Sequence, residues 1–419
     1  MVYVLSKEGT PLMPCTPAIA RLLLKEGKAK VKHRTPFTIR LTYQTETTYT
    51  QALTHGLDSG STMIGSAVSD DDGNILYQSE VSVRNDIPKK IDRRSAYRGN
   101  RRYRKTRNRK PRWQNRKNSK RKDRFSPTMT SKIDTHQKEM RFVAEILPIT
   151  KQVVETASFD PHALKNPAVL KNKWLYQKGG NYGFANTKAY VLARDNHTCQ
   201  HCKGKSKDCR LEVHHVVFRS QNGSDEETNL ITLCQTCHFG LHKGWIVLKL
   251  KGKKKGTLLH ATQMNSIRVQ LLKRTGAEET FGFVTKEHRQ LMGLPKTHHY
   301  DAVAIATGGK RATFKNNQLL VKKSVADGDY QQTKGVRSQQ KIPTGKIHGY
   351  RKFDKVHYKG ADYFIKGRMS TGYAILMDID GNKVPLKPIP KFSVMRRVST
   401  RKTWLMSEKT IPNPYSCAI

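Results

Sequence analysis

Two histidines stand side by side in the apolar segment Leu211-Glu212-Val213-His214-His215-Val216. A strand directs successive side chains to opposite faces, so one imidazole can hold a metal while its neighbour meets a phosphodiester. Downstream, His238 and His242 are four residues apart. On a helix that spacing puts both on one face, where they can converge with His214 on a single ion. Two Cys-x-x-Cys pairs, Cys199/Cys202 and Cys234/Cys237, bracket the segment. In a reducing compartment they read as metal ligands rather than disulfides, and four thiolates around one zinc would tie the start of the unit to its helix. Such a clamp offsets a core too small to fold alone. A zinc site by itself would explain the cysteines and leave the paired histidines to chance. Cys15, Cys209 and Cys417 fall outside the pattern and read as free thiols.

Three carboxylates form a looser constellation. Asp58 precedes Ser59-Gly60, Glu155 ends the run Gln152-Val153-Val154-Glu155, and Asp301 follows His298 by three residues. Singly they mean little, since acids are common beside a turn glycine and near a helix start, where the dipole favours an anion. Brought together by one sheet, they would supply the hard oxygen ligands that two divalent ions need to clamp the attacking and leaving oxygens of a phosphate, which suggests Mg²⁺.

The elements that must position these groups follow from periodicity and turn residues. Residues 1–50 pair short apolar runs, 2–5 and 37–41, with an amphipathic stretch at 17–26, a small α/β unit. A three-stranded antiparallel meander follows from 57, through 64–68 and a turn at Asp72-Gly73-Asn74, to 75–83. Residues 139–147 read as a helix before the strand 152–155, residues 258–273 as another, and Asp301 as the start of one more. From 313 onward, runs such as 363–365 and 373–377 alternate with Gly turns and lysines, the pattern of a basic β-barrel or sheet domain.

Charge names the partner class. With 78 Lys plus Arg against 33 Asp plus Glu, the 419-residue chain carries a formal +45. Self-repulsion at that level opposes compaction unless a polyanion neutralises it, and counterion release makes phosphate binding favourable. Residues 84–124 hold 20 Lys/Arg and three acids, with Tyr97, Tyr103 and Trp113 interspersed. No apolar stripe docks this segment on a core, yet Arg and Lys favour a helix until Pro111, and phosphates would stabilise it. A 36% hydrophobic content suggests several modest domains. No run of about 18 apolar residues appears, and residues 1–8 lack a signal-peptide core, so a soluble intracellular protein is expected.

The ββ-loop-helix segment, through Asn229-Leu-Ile-Thr-Leu-Cys234, resembles the HNH, or ββα-metal, endonuclease family over about 60 residues. The resemblance makes His215 the general base, His214, His238 and His242 metal ligands, and Asn229 the residue that orients the loop holding His215. The order of Asp58, Glu155 and the His298/Asp301 pair resembles the split RuvC nuclease, an RNase H-like fold. Asp58-Ser59-Gly60 stands where that family has Asp-Pro-Gly, and serine allows the same turn. An HNH domain between the second and third RuvC motifs, an Arg-rich helix after the first, and Thr10-Pro11-Leu12-Met13-Pro14 at the start resemble IscB, the transposon-encoded RNA-guided nuclease, across nearly the whole chain.

That resemblance implies a multidomain α/β architecture: a PLMP domain at 1–50, RuvC-like parts at 51–83, 126–184 and 247–312, and an Arg-rich bridge helix at 84–125. It places a zinc-stapled HNH domain at 185–246 and a C-terminal β domain at 313–419 that contacts a motif adjacent to the target. Catalytic roles fall to Asp58, Glu155, His298, Asp301, His215 and Asn229, and catalytic metal ligation to Asp58, Glu155, Asp301, His214, His238 and His242. Structural zinc falls to Cys199, Cys202, Cys234 and Cys237, and RNA contacts to Arg93, Arg94, Arg98, Arg101, Arg102 and Arg104. Mg²⁺ at both catalytic sites, a long structured omega-type guide RNA bound by one protein monomer, a double-stranded DNA target and no membrane are the implied cofactors and partners. HNH would cut the strand paired to the guide and the RuvC-like site the displaced strand, in the cytoplasm of a prokaryote near the nucleoid. An autonomous HNH homing or restriction enzyme is the competing expectation, and it leaves the Arg-rich helix and the carboxylates unexplained.

Overall fold

A computed structural model describes residues 1–103, 125–179, 181–221, 223–248, 258–326 and 345–415. They fall into two compact units, Met1–Ala157 with Ser266–Ile419, and Ser158–Asn265.

The first unit begins with β1 (Val2–Leu5), β2 (Pro11–Cys15), α1 (Pro17–Lys25), β3 (Ala29–Arg34) and β4 (Phe37–Leu41), whose strands form a sheet in the order β2-β1-β4-β3. Thr16 caps α1 by accepting from Ile19 N, with Pro17 at the first helical position. Val2, Val4, Ala20, Ile39 and Leu41 make the core of this small α/β layer.

The meander is β5 (Leu53–Asp58), β6 (Met63–Asp70) and β7 (Asn74–Ser82), antiparallel throughout. Asp70 Oδ1 accepts from the backbone N–H of Asp72 and Asn74, and Gly73 supplies the positive φ that closes the turn. Then come α2 (Ile87–Tyr103), α3 (Pro127–Ala144) and β8 (Lys151–Thr156), which pairs parallel to β5. Arg93, Arg94, Arg98, Arg101 and Arg102 lie on α2, whereas Arg104, the expected stop at Pro111 and Cys417 lie outside the described residues. The helix expected at 139–147 begins twelve residues earlier, because Ser126 caps it through Met129 N and Pro127 fills its first position.

The second unit holds α4 (Pro161–Lys165), α5 (Thr187–Arg194), the antiparallel pair β9 (Leu211–His215) and β10 (Leu230–Cys234), and α6 (Gln235–His242). Its cluster of buried apolar side chains is Cys199, Ile231, Leu233, Cys234 and Cys237, so thiols are three of the five. Residues 158–184, expected in the middle RuvC-like part, cluster with this unit instead.

The helix α7 (Leu259–Thr275) leads back to β11 (Glu278–Phe281), α8 (Gly282–Leu291), α9 (His298–Thr307), β12 (Thr313–Phe314) and β13 (Gln318–Ser324). A separate four-stranded sheet, in the order β16-β15-β14-β17, follows: β14 (Lys355–Tyr358), β15 (Ala361–Arg368), β16 (Ala374–Met377) and β17 (Arg396–Ser399). The last strand, β18 (Trp404–Thr410), returns to the central sheet, whose order is β11-β8-β5-β6-β7-β13-β18 with β12 also on β7. The C-terminal β region expected to stand alone from 313 therefore divides. Its ends, β12, β13 and β18, extend the central sheet, and β14–β17 make their own core around Val356, Ile365, Leu376 and Phe392.

Both faces of the central sheet are covered, which is why β6 and β7 are buried along nearly their whole length, polar residues included, rather than at alternate positions. Ala67 and Ile75 meet Ala302, Val303 and Ala306 of α9, whereas Val68 and Leu76 meet Val143 at the end of α3. The approach of α9 is close: a Cβ at Gly65 would lie 1.9 Å from the His298 carbonyl oxygen, and one at Gly56 2.5 Å from that of Ala302. These two glycines let the helix lie directly on the strands that carry Asp58.

Candidate nuclease centres

Both units gather reactive groups, the second in two convergent sets. In the second, the register of β9 on β10 sets His214 opposite Ile231 and His215 opposite Leu230. The two adjacent imidazoles take different partners. His214 turns inward, with ring centroids 4.8 Å from His238 and 5.1 Å from His242. The Nε2 atoms of His238 and His242 are 3.3 Å apart, and Glu212 holds His238 from behind through Nδ1 at 2.8 Å. Ligand atoms of all three histidines lie within 4.8 Å of one another.

His214 Nε2 is buried and has no hydrogen-bond partner. Burial foremost, with His238 and His242 close by, lowers its pKa to about 4, so it stays neutral with a lone pair to give. An orphaned buried nitrogen facing two further imidazoles fits a divalent cation.

His215 points the other way, and its Nε2 lies 2.8 Å from Asp225 Oδ1, a carboxylate that Arg219 also holds at 2.8 Å. The loop between these groups is fastened by Asn229, which is fully buried. Its Nδ2 donates to the carbonyls of Val217, at 3.1 Å, and Ser224, at 2.8 Å, and its Oδ1 accepts from Val217 N at 3.0 Å. Asp225 and Arg219 carried no signal in the sequence, because their meaning depends on how this loop folds back.

The four cysteines form a second convergent set, with every Sγ within 4.8 Å of the others. The Cys202 and Cys234 sulfurs are 3.8 Å apart, the edge of about 3.8 Å expected for a tetrahedron with Zn–S bonds of about 2.3 Å. The set fits structural zinc. Cys15 and Cys209 are free thiols, as expected.

In the first unit, Asp58 and Glu155 are register partners on the parallel strands β5 and β8, so their side chains leave the same face. Ser59 binds the strand ends together by donating to the Glu155 carbonyl at 2.6 Å. A Cβ at Gly60 would lie 1.9 Å from the Met63 carbonyl oxygen, so the turn after Asp58 requires glycine there. His298, on the first turn of α9, lies over this pair with Nδ1 2.6 Å from Asp58 Oδ2. Asp301, one turn on, is ion-paired to Arg289 of α8 at 2.7 Å.

All three carboxyls are pushed above their ordinary range, chiefly by burial. Glu155 reaches about 7, with Asp58 the next cause, and Asp58 itself rises despite its bond to His298. In return Asp58 raises the His298 pKa. A cluster that resists its own ionisation is a cluster that a divalent cation would stabilise. Among the described residues, however, Asp58, Glu155 and Asp301 do not converge as the histidines and cysteines do. Arg289 holds Asp301 and His298 holds Asp58. The sequence reading missed Arg289, Thr285, which bonds Glu155, and Glu80, whose Oε1 takes His299 Nδ1 at 2.8 Å and anchors the start of α9.

Residues 2–179 match the family RRXRR protein, and residues 199–244 match HNH endonuclease. Over 62 residues the chain is 37% identical to the type IV methyl-directed restriction enzyme EcoKMcrA of Escherichia coli strain K12, a stretch of 13% of this chain and 22% of that enzyme. Structures of Streptococcus thermophilus Cas9 in complex with the AGAA PAM and the GGAA PAM align over 52% of this chain, at 13% identity. The TM-scores are 0.32 and 0.31, and 31% and 32% of those chains are covered. The chain thus spans less than a third of these relatives. Residues 199–244 are an HNH endonuclease domain. The RRXRR match lies ahead of that domain and covers less than half of the chain.

Proposed function

We propose that the protein is an RNA-guided DNA endonuclease with two separate hydrolytic centres, one for each strand of a guide-matched duplex. The observation that carries this reading is the presence of two unlike hydrolytic sets in two units: two histidines beside the orphaned His214 nitrogen, and paired carboxylates capped by His298. A homing or restriction enzyme with one HNH centre needs only the first. The order β7-β6-β5-β8-β11, antiparallel then parallel, supports an RNase H-like core for the second. The 37% identity to a restriction enzyme lies in a 62-residue stretch, and it favours autonomous cleavage as the second reading.

In the HNH unit, His214, His238 and His242 would hold the catalytic cation. A bound divalent cation supplies Lewis-acid stabilisation of charge developing on the phosphate. With Nε2–H donating to Asp225, Nδ1 of His215 is the basic nitrogen, and it takes the proton of the attacking water. Asn229 holds the loop that carries Arg219 and leads to Asp225, and so sets the His215 ring. Cys199, Cys202, Cys234 and Cys237 would hold zinc and fasten the strands to α6. In the other unit, Asp58, Glu155 and Asp301 would take Mg²⁺, Arg289 giving way on Asp301, and His298 moves protons at the reacting oxygens. Arg93, Arg94, Arg98, Arg101, Arg102 and Arg104 grip the guide by its phosphates, while base pairing reads the target.

The test is strand-resolved cleavage of a guide-matched duplex. His215→Ala leaves a nickase for the displaced strand, and Asp58→Ala or Glu155→Ala one for the guide-paired strand. One substitution stopping both cuts, with RNA and DNA binding intact, would refute the two-centre assignment.

A further inference from the structure

Three neighbouring cavities of the first unit meet at Trp404. The first, about 400 Å³, lies between β3 of the N-terminal sheet and the C-terminal strands and is lined by Lys32, Arg34, Phe353, Phe364, Thr400 and Lys402, among others. It shares Lys402, Trp404 and Met406 with a second of about 310 Å³ that reaches Lys138 and Arg141 on α3. Lys138 and Trp404 in turn border a third of about 510 Å³, which ends at Arg84, three residues before α2. The seam therefore leads from the N-terminal sheet to the foot of the Arg-rich helix.

The chemistry of the first cavity is specific. Phe353, Phe364, Trp404 and Met406 give its wall apolar side chains among polar ones, and no carboxylate lines it. Lys355, also in the wall, is neutralised by Asp362 at 3.2 Å. Lys32, Arg34 and Lys402 are exposed at the rim with no acidic partner among the described residues. Burial, then Lys402 and Lys32, lower the pKa of His33, and Glu145 opposes them. A hollow of drug-ligand size that mixes aromatic and aliphatic side chains with three exposed cations suits a flat ring on the first and phosphates on the second. A duplex cannot offer both, because its bases stay stacked inside; an unpaired nucleotide can.

We propose that this cavity holds an unstacked nucleotide of the bound RNA, its base against the apolar side chains of the wall and its flanking phosphates on Lys32, Arg34 and Lys402, with the strand continuing along the seam toward α2. The assignment rests on the reading of the chain as an RNA carrier. An acidic peptide with one apolar anchor is the rival occupant. The +45 charge of the chain and the direction of the seam toward the Arg-rich helix favour RNA.

The experiment is photo-crosslinking of the full-length protein to a single-stranded oligouridine carrying 4-thiouridine, with the attached peptides mapped by mass spectrometry. Crosslinks should fall within 31–35 and 398–402. Each phosphate contact to a single strand changes log affinity by about 0.7 per tenfold change of salt, or about 5-fold at 0.1 M. The Lys32→Gln/Arg34→Gln/Lys402→Gln variant should therefore need about 100-fold more oligonucleotide for half-maximal crosslinking at these segments, with the salt slope there reduced by about 2. Because all three side chains are at the rim, the fold should survive, and crosslinks to α2 should persist as the internal control. Absence of crosslinks here in the wild type, or a variant with unchanged yield and slope, would overturn the proposal. So would oligothymidine competing as well as oligouridine, which would give the cavity to DNA. Guide-directed cleavage intact without these crosslinks sinks only this inference; crosslinks intact with cleavage that ignores the guide sink only the functional reading.

Discussion

Asn229→Ala removes a buried side chain that fastens the loop between His215 and Asp225. The wild-type amide makes at least three hydrogen bonds, to backbone groups of Val217 and Ser224, while fully buried. Each bond contributes about 1 kcal/mol net, and each backbone group left without a partner costs about 1–3 kcal/mol if it cannot reach water. Because the loop can open to water, the lower end applies, about 3 kcal/mol, which shifts its closed-to-open ratio roughly 100-fold. His215 keeps its place on β9 but loses the orientation that Asp225 gives it. In single-turnover assays with each strand labelled, HNH-side nicking should fall by up to about 100-fold, with nicking by the carboxylate site unchanged. Zinc content should also be unchanged, since the thiol cluster is tied to β10 elsewhere, through Gln200 N and the Thr232 carbonyl at 2.9 Å. Wild-type nicking of the guide-paired strand, or loss of zinc together with activity, would refute this assignment of Asn229.

Four further outcomes follow from the same geometry. Cys234→Ser opens the four-thiol cluster, so metal analysis should show loss of zinc and proteolysis should find the HNH unit unfolded while carboxylate-side nicking survives; zinc unchanged after that substitution would contradict it. Asp225→Asn should lower HNH-side nicking with little effect on folding, and an unchanged rate would remove Asp225 from the His215 arrangement. Glu155 binds its proton more tightly in the fold, at about 7 against 4.5 unfolded, so its own contribution to the stability of the metal-free protein falls as pH rises between those values. Glu155→Gln removes that contribution, so the melting temperature of the variant should rise relative to wild type across that window, and a difference independent of pH would contradict the shift. Lys322→Met leaves the fully buried Glu139 without its 2.7 Å partner, costing about 3–5 kcal/mol in denaturant unfolding; adding Glu139→Gln should recover much of it, and no recovery would show that the pair is not the cause.

How much was legible beforehand depended on the range of the interaction. The meander was readable because Asp70, Gly73 and Asn74 close its turn locally. The HNH unit was readable because strand alternation at His214/His215, the i, i+4 spacing of His238/His242 and the two Cys-x-x-Cys pairs each encode their own geometry within a few residues. The carboxylates are different. Asp58 and Glu155 meet through the register of strands 97 residues apart, and nothing local marks either, so only resemblance to a known family singled them out. Arg289, Thr285 and Glu80 were missed for the same reason. The start of α3 was missed despite a local signal, Ser126-Pro127, because the Arg-rich run before it hid the boundary. The β13 and β18 strands looked like part of a separate domain, because a β-rich pattern does not say which sheet completes it.

The central claim is that an RNA supplies the sequence choice, for α2 presents arginines suited to phosphates, and arginine at that density positions a backbone without reading bases. Two plasmids with different targets beside the same adjacent motif, each incubated with protein carrying either of two guide sequences, measure this directly. Cleavage should follow the guide in all four combinations, and protein stripped of RNA should bind duplex DNA weakly, without selectivity and with steep salt dependence. Efficient cutting at a fixed site by RNA-free protein, or cuts that stay put when the guide is exchanged, would contradict it.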